Sequence, residues 1–554
     1  MRKLSIFLLC MLPLRGFPQQ TVSIHVDASR GTVELKPIWK YFGYDEPNYT
    51  YAANGRKLIG ELSGLSEGPV YIRTHNLLTT GNGVAALKWG STNAYTEDAS
   101  GKAIYDWTIV DRILETYLSA GAKPFVEIGF MPKALSTHPE PYQHTWPKGG
   151  IDTGWAYPPN DYKKWNQLVY EWVRHCVEKY GKTEVESWYW EVWNEPDISY
   201  WHGTPAEYDK LYDYTAAAVK RALPSARVGG PASTGPANPK AAAFLRQFLE
   251  HCVSGKNLAG GGTGAPLDFI SYHAKGRPET VEGHVRMGLS KNMRDVSTGF
   301  QIVRSFPKFR NLPIILSESD PEGCAACSAR LYPQNAYRNG ALYASYAAEA
   351  LDTVRKLAAR DGANLEGTLT WAFEFEDQPY FDGLRTLATN GVDKPVLNLF
   401  RMEGLMHGQS VKVESSGAVD LDTILSAGVR QSADVDAVSA RSPNGLSTTI
   451  WNYHDDDVDA PPVEIDLAIA NLPAGAKRVL LRHYRIDRDH SNSYTAWKQL
   501  GSPQNPTPEQ YATLESAGQL QLLESPRWAS SREGAIHVRF ALPREAISLI
   551  EMSW

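Results

Sequence analysis

The chain has 554 residues, of which 42% are hydrophobic and 21% are charged, and its formal net charge is −6. This length is sufficient for a large globular core with one or two smaller units. The small negative charge gives no electrostatic reason to expect nucleic acid or an anionic membrane as a partner, so neither is predicted.

The first residues are typical of an export signal. Arg2 and Lys3 precede the apolar run LSIFLLCMLPL, which is too short to span a bilayer. We therefore predict a signal peptide over residues 1–20 and a periplasmic or secreted protein. After export, Cys324 and Cys327 could form a local disulfide or remain free thiols. A zinc site is the weakest interpretation, because two further ligands are lacking nearby in the sequence, and no metal is predicted.

Strand patterns occupy both ends of the mature chain. Segments 21–27 and 31–35 alternate polar and apolar residues, as half-buried strands do. Beyond residue 400, short strand patterns separated by Pro and Gly dominate, at 448–454, 478–486 and 535–542. These patterns predict an accessory all-β sandwich domain over 401–554, which the strands at 21–39 join.

Between residues 40 and 400, strand-like runs alternate with amphipathic helical patterns. The strand-like runs are 40–44, 70–75, 123–130, 188–195, 226–232, 268–274, 313–319 and 367–375. The clearest helical patterns are 106–121, 160–181, 204–223, 239–255 and 335–360. Eight strands alternating with helices predict an α/β protein whose main unit is a closed parallel (β/α)8 TIM barrel.

Two of these strands end in a glutamate. In WYWEVWNEPD (188–197), Pro196 cannot continue a sheet ladder, so the strand is predicted to end at Glu195. In LPIILSESDPEG (312–323), an apolar run is followed by Glu318. The carboxyl ends of barrel strands are where barrel enzymes carry their chemistry. We therefore predict that Glu195 and Glu318 face each other across one cleft.

Two facing carboxyl groups are the requirement of glycoside hydrolysis. One protonates the leaving oxygen and the other attacks the sugar or activates water. The fourth and seventh strands lie on opposite sides of an eight-stranded ring, so side chains at their ends can converge over its mouth. The alternative is that Glu195 and Glu318 are structural acids bound to arginines of the loops.

Several long segments resemble one known family. They are YIRTHNLL (71–78), 103–132, EVWNEPD (191–197), DFISYHA (268–274), 315–340, 371–402 and 484–503. With these segments the chain resembles glycoside hydrolase family 39, the β-xylosidase family, and particularly its longer proteobacterial-type members. The resemblance covers nearly the whole mature chain, including the β-rich part.

The resemblance implies roles for six residues. Glu195 would be the general acid/base and Glu318 the nucleophile, while Asn194 would bind the 2-hydroxyl of the attacked sugar. Substrate-binding roles would also fall to three residues at strand ends, which are His75, His273 and Trp371. The histidines would bind sugar hydroxyls, and the tryptophan would form a wall against which a pentose packs.

The activity that the resemblance implies is that of an exo-acting β-1,4-xylosidase. It would release xylose from the non-reducing ends of xylo-oligosaccharides by double displacement, without metal or organic cofactor. One alternative is another glycosidase on the same scaffold, an α-L-arabinosidase or an α-L-iduronidase-like enzyme. Lys275 bears on this alternative, since it stands where the family commonly has Tyr and a uronic acid would require a cation. A non-catalytic carbohydrate-binding protein is the second alternative.

Overall fold

The computed structural model describes residues 21–144, 151–152, 154–371 and 374–554. The predicted signal peptide at residues 1–20 lies outside the described residues. Among the helices of these ranges, none is both long and apolar enough to cross a membrane.

All eight predicted barrel strands form, and they close into a ring in sequence order. In order, from the first barrel strand to the eighth, they are Tyr41–Tyr44, Tyr71–Thr74, Lys123–Ile128, Tyr189–Val192, Arg227–Ser233, Phe269–Lys275, Ile314–Asp320 and Leu365–Trp371. Every neighbouring pair is parallel, including the pair of the eighth strand with the first that closes the ring. The prediction of an α/β barrel is therefore confirmed.

Helices connect the barrel strands. The α-helices are Ala53–Ser63, Thr108–Ala120, Tyr162–Tyr180, Lys182–Glu186, Pro205–Ala222, Pro239–Ser254, Leu289–Arg304, Ala341–Asp361 and Pro395–Leu405, and 3-10 turns occur at Pro47–Tyr49, Lys133–Leu135 and Pro333–Asn339. The predicted cap Thr204 forms a capping box with Glu207. The helix predicted from residue 160 begins instead at Tyr162, because the side chain of Asp161 accepts the hydrogen bonds that cap it.

Nine strands of the described ranges form the sheet of the second unit. They are Thr21–Glu34, Gln409–Ser415, Asp434–Ser442, Gly445–Tyr453, Val463–Ala470, Arg478–Ile486, Gln521–Ser530, Ile536–Leu542 and Ile547–Ser553, with short helices at Leu421–Ala427, Ser493–Gln499 and Pro508–Ala517. The first of these strands pairs on both sides, with Gln409–Ser415 and with Val463–Ala470. Ile465 and Leu481 lie towards opposite ends of the strand order yet share one apolar core. The sheet therefore folds over itself, which is the predicted β-sandwich.

Four two-stranded hairpins complete the described structure. They pair Tyr95–Glu97 with Ala103–Tyr105, Gln143–His144 with Ile151–Asp152, Glu279–Val281 with His284–Arg286, and Ala388–Thr389 with Val392–Asp393. The predicted boundary at residue 400 falls inside the helix Pro395–Leu405. The division of the chain into domains stays a prediction.

The sandwich is packed against the barrel by both polar and apolar contacts. The indole N–H of Trp451 in the sandwich donates to Glu349 of the barrel (2.7 Å) and to Asp434 (2.9 Å). The helix Ser493–Gln499, which leaves the sandwich, packs against the loop that follows the eighth barrel strand. There the ring of Phe381 lies 5.1 Å from that of Trp497. The sandwich thus reaches a loop at the mouth of the barrel.

Candidate active site

The backbone turns sharply at the end of the fourth barrel strand. The strand ends at Val192, so its predicted extension to Glu195 is wrong by three residues. Trp193 and Glu195 adopt φ values of 72° and 44°, a left-handed region that non-glycine residues occupy at a cost in energy. The N–H of Glu195 donates to the carbonyl of Ala232 (2.9 Å), which holds this turn against the fifth strand.

One cavity of about 410 Å³ lies at the carboxyl ends of the barrel strands. All six residues predicted for the site line it, namely His75, Asn194, Glu195, His273, Glu318 and Trp371. Charged side chains that the sequence analysis did not place in the site also line it, and these are Asp45, Lys88, Lys291, Asp295 and Arg385. The residues singled out from distant parts of the chain thus share one cleft.

Glu195 and Glu318 approach each other closely. One carboxylate oxygen of each, together with a nitrogen of His273, lie within 4.8 Å of one another. Nδ1 of His273 lies 2.8 Å from Oε1 of Glu195 and 3.7 Å from Oε1 of Glu318. These three donors are of a type that could hold a metal ion. However, the ammonium group of Lys275 already supplies a positive charge to both carboxylates, at 2.5 Å from Glu318 and 3.2 Å from Glu195.

The surrounding cations control the ionisation of both carboxyl groups. Burial raises the pKa of Glu195, but the charge of Lys275 and the hydrogen bond with His273 outweigh it and lower the pKa to about 2. Burial likewise opposes ionisation of Glu318, while His273 and Lys275 hold its pKa well below the usual value. Both groups are therefore carboxylates at neutral pH in this arrangement of side chains.

An arginine that sequence reasoning missed lies directly below the cleft. Arg73, in the second strand, is fully buried and contacts Glu191 (2.6 Å), Glu127 (2.9 Å) and Glu318 (3.3 Å). It also donates to Oδ1 of Asn194 (3.0 Å). A signal was available in the sequence, because a charged residue inside a predicted buried strand must find a partner.

His75 is held by carboxylates on several sides. Its Nδ1 lies 2.9 Å from Asp45, and its Nε2 lies 3.0 Å from Glu127 and 3.6 Å from Glu318. Burial lowers the pKa of His75, but Glu127 and Asp45 prevail and raise it to about 9. The ring of Trp371 lies 4.7 Å from that of His75, so the two form one wall of the cavity.

A second missed arginine is supplied by the loop after the eighth strand. Arg385 lies 3.6 Å from Asp320 and 4.0 Å from Glu318. Its guanidinium group donates to the carbonyl of Glu322, in the loop that follows the seventh strand. In that loop Cys324 and Cys327 form a disulfide, which was one of the two possibilities left open by the sequence. Cys324 itself lines the cavity.

Comparison with known proteins agrees with this arrangement. The family model described as "Glycosyl hydrolases family 39" matches residues 22–534. A β-xylosidase of Geobacillus stearothermophilus is 27% identical over 90% of this chain and 88% of its own length. An α-L-iduronidase of Mus musculus is 24% identical over 96% of this chain and 80% of its own length.

The solved structure of a bacterial orthologue of human α-L-iduronidase superposes with a TM-score of 0.77 at 20% identity, covering 97% of this chain and 84% of that one. With a barrel, a sandwich and two glutamates in one cleft, the chain belongs to glycosyl hydrolases family 39.

Proposed function

We propose that the protein is an exported, retaining exo-glycosidase that releases xylose from the non-reducing ends of β-1,4-linked xylo-oligosaccharides. The observation that carries the mechanism is the approach of Glu195 and Glu318 to within 4.8 Å between carboxylate oxygens. Direct attack on the sugar requires carboxyl groups about 5–5.5 Å apart, whereas inversion through a water requires about 6.5–9.5 Å. The short separation leaves no room for that water and favours retention.

In the first step the carboxylate of Glu318 attacks the anomeric carbon while Glu195 donates its proton to the leaving oxygen. The glycosidic bond breaks and an ester to Glu318 forms. In the second step Glu195, now a carboxylate, takes a proton from water. That water attacks the anomeric carbon, releases the sugar with its configuration retained, and regenerates the carboxylate of Glu318. The low pKa of Glu318 keeps the nucleophile ionised.

Glu195 must carry a proton to act as an acid, and the contact with Lys275 opposes this before the substrate binds. A sugar entering between the two carboxylates separates Lys275 from Glu195. Burial and the charge of Glu318, which both favour the protonated form of Glu195, are then opposed by His273 alone among these neighbours. The proton required for the first step is in this way acquired as the substrate binds.

The remaining residues position the sugar. Asn194 meets the 2-hydroxyl and is itself oriented by Arg73, which also contacts Glu318 (3.3 Å). His75 and His273 bind hydroxyl groups, and Trp371 packs against the ring. The presence of both carboxylates weighs against a binding protein without catalysis, because binding alone would not require two acids so close together.

A second candidate is a glycosidase specific for a uronic acid, of the α-L-iduronidase kind. The specific observation is that Lys275 and Arg385 both line the cavity and both approach Glu318. A sugar carboxylate would take Lys275 as its partner and so release Glu195 for protonation. The iduronidase relative is consistent with this candidate. No observation favours an α-L-arabinosidase.

A panel of aryl glycosides tests the two candidates together. The xylosidase proposal requires the 4-nitrophenyl β-D-xyloside to be hydrolysed fastest, and preference for an aryl α-L-iduronide would select the second candidate. Labelling with a 2-fluoro xyloside followed by peptide mapping is expected to modify Glu318. Modification of another residue would refute the assignment of the nucleophile. Lys275→Met also distinguishes the candidates, because loss of the ammonium group should reduce turnover of a uronide far more than turnover of a xyloside.

A further inference from the structure

A second cavity of about 630 Å³ lies beside the catalytic one. It is bounded by the loop that follows Glu195 and by the first turns of the helix Pro239–Ser254. Its principal lining residues are Ile198, Trp201, His202, Lys240, Phe244 and Gln247. Ile198 also lines the catalytic cavity, so the loop that carries Ile198 borders both cavities.

The floor of the second cavity is apolar and rigidly held. The side chains of Trp201 and Phe244 are 5% and 7% exposed, respectively. The ring of Trp201 lies 5.1 Å from that of Trp193, and the ring of Phe244 lies 5.4 Å from that of Tyr208. These contacts fix both rings in place. Buried rings fixed in this way give the cavity an apolar floor of constant shape.

The rim of the cavity is polar. Lys240 and His202 are exposed, and Gln247 is half-buried with its amide group bonded to Asp209 (2.7 Å). Hydrogen-bonding groups around an apolar floor are the usual composition of a site for a small polar molecule. The lining carries one cation, Lys240, and one carboxylate, Asp197, while burial lowers the pKa of His202 and keeps it neutral at neutral pH. The site therefore has no strong net charge. A neutral sugar fits this chemistry.

The cavity lies on the side of the cleft towards which the leaving group departs. Glu195 protonates the oxygen that joins the terminal sugar to the rest of the substrate, so the rest of the substrate lies on the Glu195 side of the cleft. The loop begins at the next residue, Pro196. It is anchored by Asp197, which accepts a hydrogen bond from the N–H of Thr234 (2.9 Å). Beyond Ile198 the loop opens into the second cavity.

We propose that this cavity, hereafter the leaving-group groove, binds the sugar units of a neutral oligosaccharide that lie beyond the scissile bond. The proposal rests on the proposed function, since it assigns the groove to the leaving group of that reaction. The catalytic cavity takes the terminal sugar, and the groove takes the next units across Ile198. The value of kcat/KM for longer substrates then depends on residues that never touch the reacting atoms.

Filling the groove tests this assignment. Ala243 lines the groove and is exposed on the helix Pro239–Ser254, so Ala243→Trp blocks the space without touching the catalytic residues. Glu250→Trp is the matched control, because Glu250 is exposed on the same helix outside the groove. The measurement is kcat/KM for xylotriose and for 4-nitrophenyl β-D-xyloside, which carries no further sugar units. We expect Ala243→Trp to lower the value for xylotriose at least tenfold and to leave that for the aryl xyloside within twofold. The control variant should keep both kcat/KM values within twofold of those of the unmodified protein.

Two outcomes would overturn the groove assignment. One is an unchanged kcat/KM for xylotriose in Ala243→Trp. The other is an equal loss on both substrates, which would indicate damage to the catalytic site itself. If the unmodified protein turns over neither substrate, it is the xylosidase proposal that fails. The affinity for xylotriose, measured by calorimetry, then tests the groove assignment. Loss of binding in Ala243→Trp supports the assignment, and equal or undetectable binding in both proteins refutes it.

Discussion

Nζ of Lys275 lies 2.5 Å from Oε2 of Glu318, and the same ammonium group reaches Glu195 at 3.2 Å. A single cation therefore bridges the two carboxyl groups on which the proposed reaction depends. It keeps the nucleophile ionised, as attack requires, and it opposes protonation of the acid, which substrate binding must overcome.

Replacing Lys275 by methionine should move the whole pH profile of kcat/KM to higher pH. The charge of Lys275 lowers the pKa of Glu195 and of Glu318, so its removal raises both. The acidic limb reports ionisation of the nucleophile and the basic limb reports protonation of the acid, and both limbs therefore shift upward. The measurement is the pH dependence of kcat/KM with an aryl glycoside.

Lys291→Met is the control for this experiment. Lys291 lines the same cavity but pairs with Asp295 at 3.1 Å. Its removal deletes a positive charge near the site without deleting a contact to either catalytic carboxylate. A profile that moves equally in both variants, or in neither, would contradict the assigned role of Lys275.

The two glutamates should respond differently to the leaving group. Glu195→Ala is expected to lower kcat/KM for xylo-oligosaccharides by about 10²–10⁴-fold, the usual contribution of a general acid. The loss should be much smaller for an aryl glycoside whose phenol leaves without protonation. Glu318→Ala, in contrast, should abolish turnover of both, because no ester can form. Equal losses on both substrates in Glu195→Ala would show that Glu195 is not the acid.

The sequence predicted the ring of strands and the two glutamates because each leaves a local pattern. An apolar run followed by Glu and Pro is visible without any knowledge of tertiary structure. Arg385 left no such pattern, since it lies in an irregular loop and is held at the cleft by tertiary contacts such as those with Glu322 and Asp320. The early end of the fourth strand was also hidden, because the left-handed backbone at Trp193 depends on the tertiary contacts of the turn.

Trp497 of the sandwich should affect catalysis although it lies outside the cavity. Its ring packs 5.1 Å from that of Phe381, in the loop that carries Arg385. Trp497→Ala is expected to destabilise the protein by about 2–3 kcal/mol, less than the roughly 3–5 kcal/mol of a fully buried aromatic. We also expect a roughly tenfold fall in kcat/KM as Arg385 loses its position. Trp528→Ala is the matched control, because Trp528 is 59% exposed on a sandwich strand. If both variants retain full activity at a temperature where they are folded, the sandwich does not position the loop.

Glu349, buried against Asp434 at the contact between barrel and sandwich, should make stability fall as pH rises. Burial and the neighbouring charge of Asp434 raise the pKa of Glu349 well above its usual value. Between the ordinary pKa and this raised pKa, the folded protein holds a proton that the unfolded chain has lost, so the free energy of unfolding decreases through that window.

Glu349→Gln keeps the contact with Trp451 and removes the ionisable group. It should therefore raise the free energy of unfolding at neutral pH by roughly 1–3 kcal/mol, which is measured as a higher melting temperature. It should also make the melting temperature depend less on pH. Glu403→Gln is the control of opposite sign. It deprives Arg355, which lies 2.7 Å from Glu403, of its negatively charged partner and should lower the melting temperature. A Glu349→Gln protein that is less stable than the unmodified one at neutral pH would refute the conclusion that Glu349 is protonated in the folded protein.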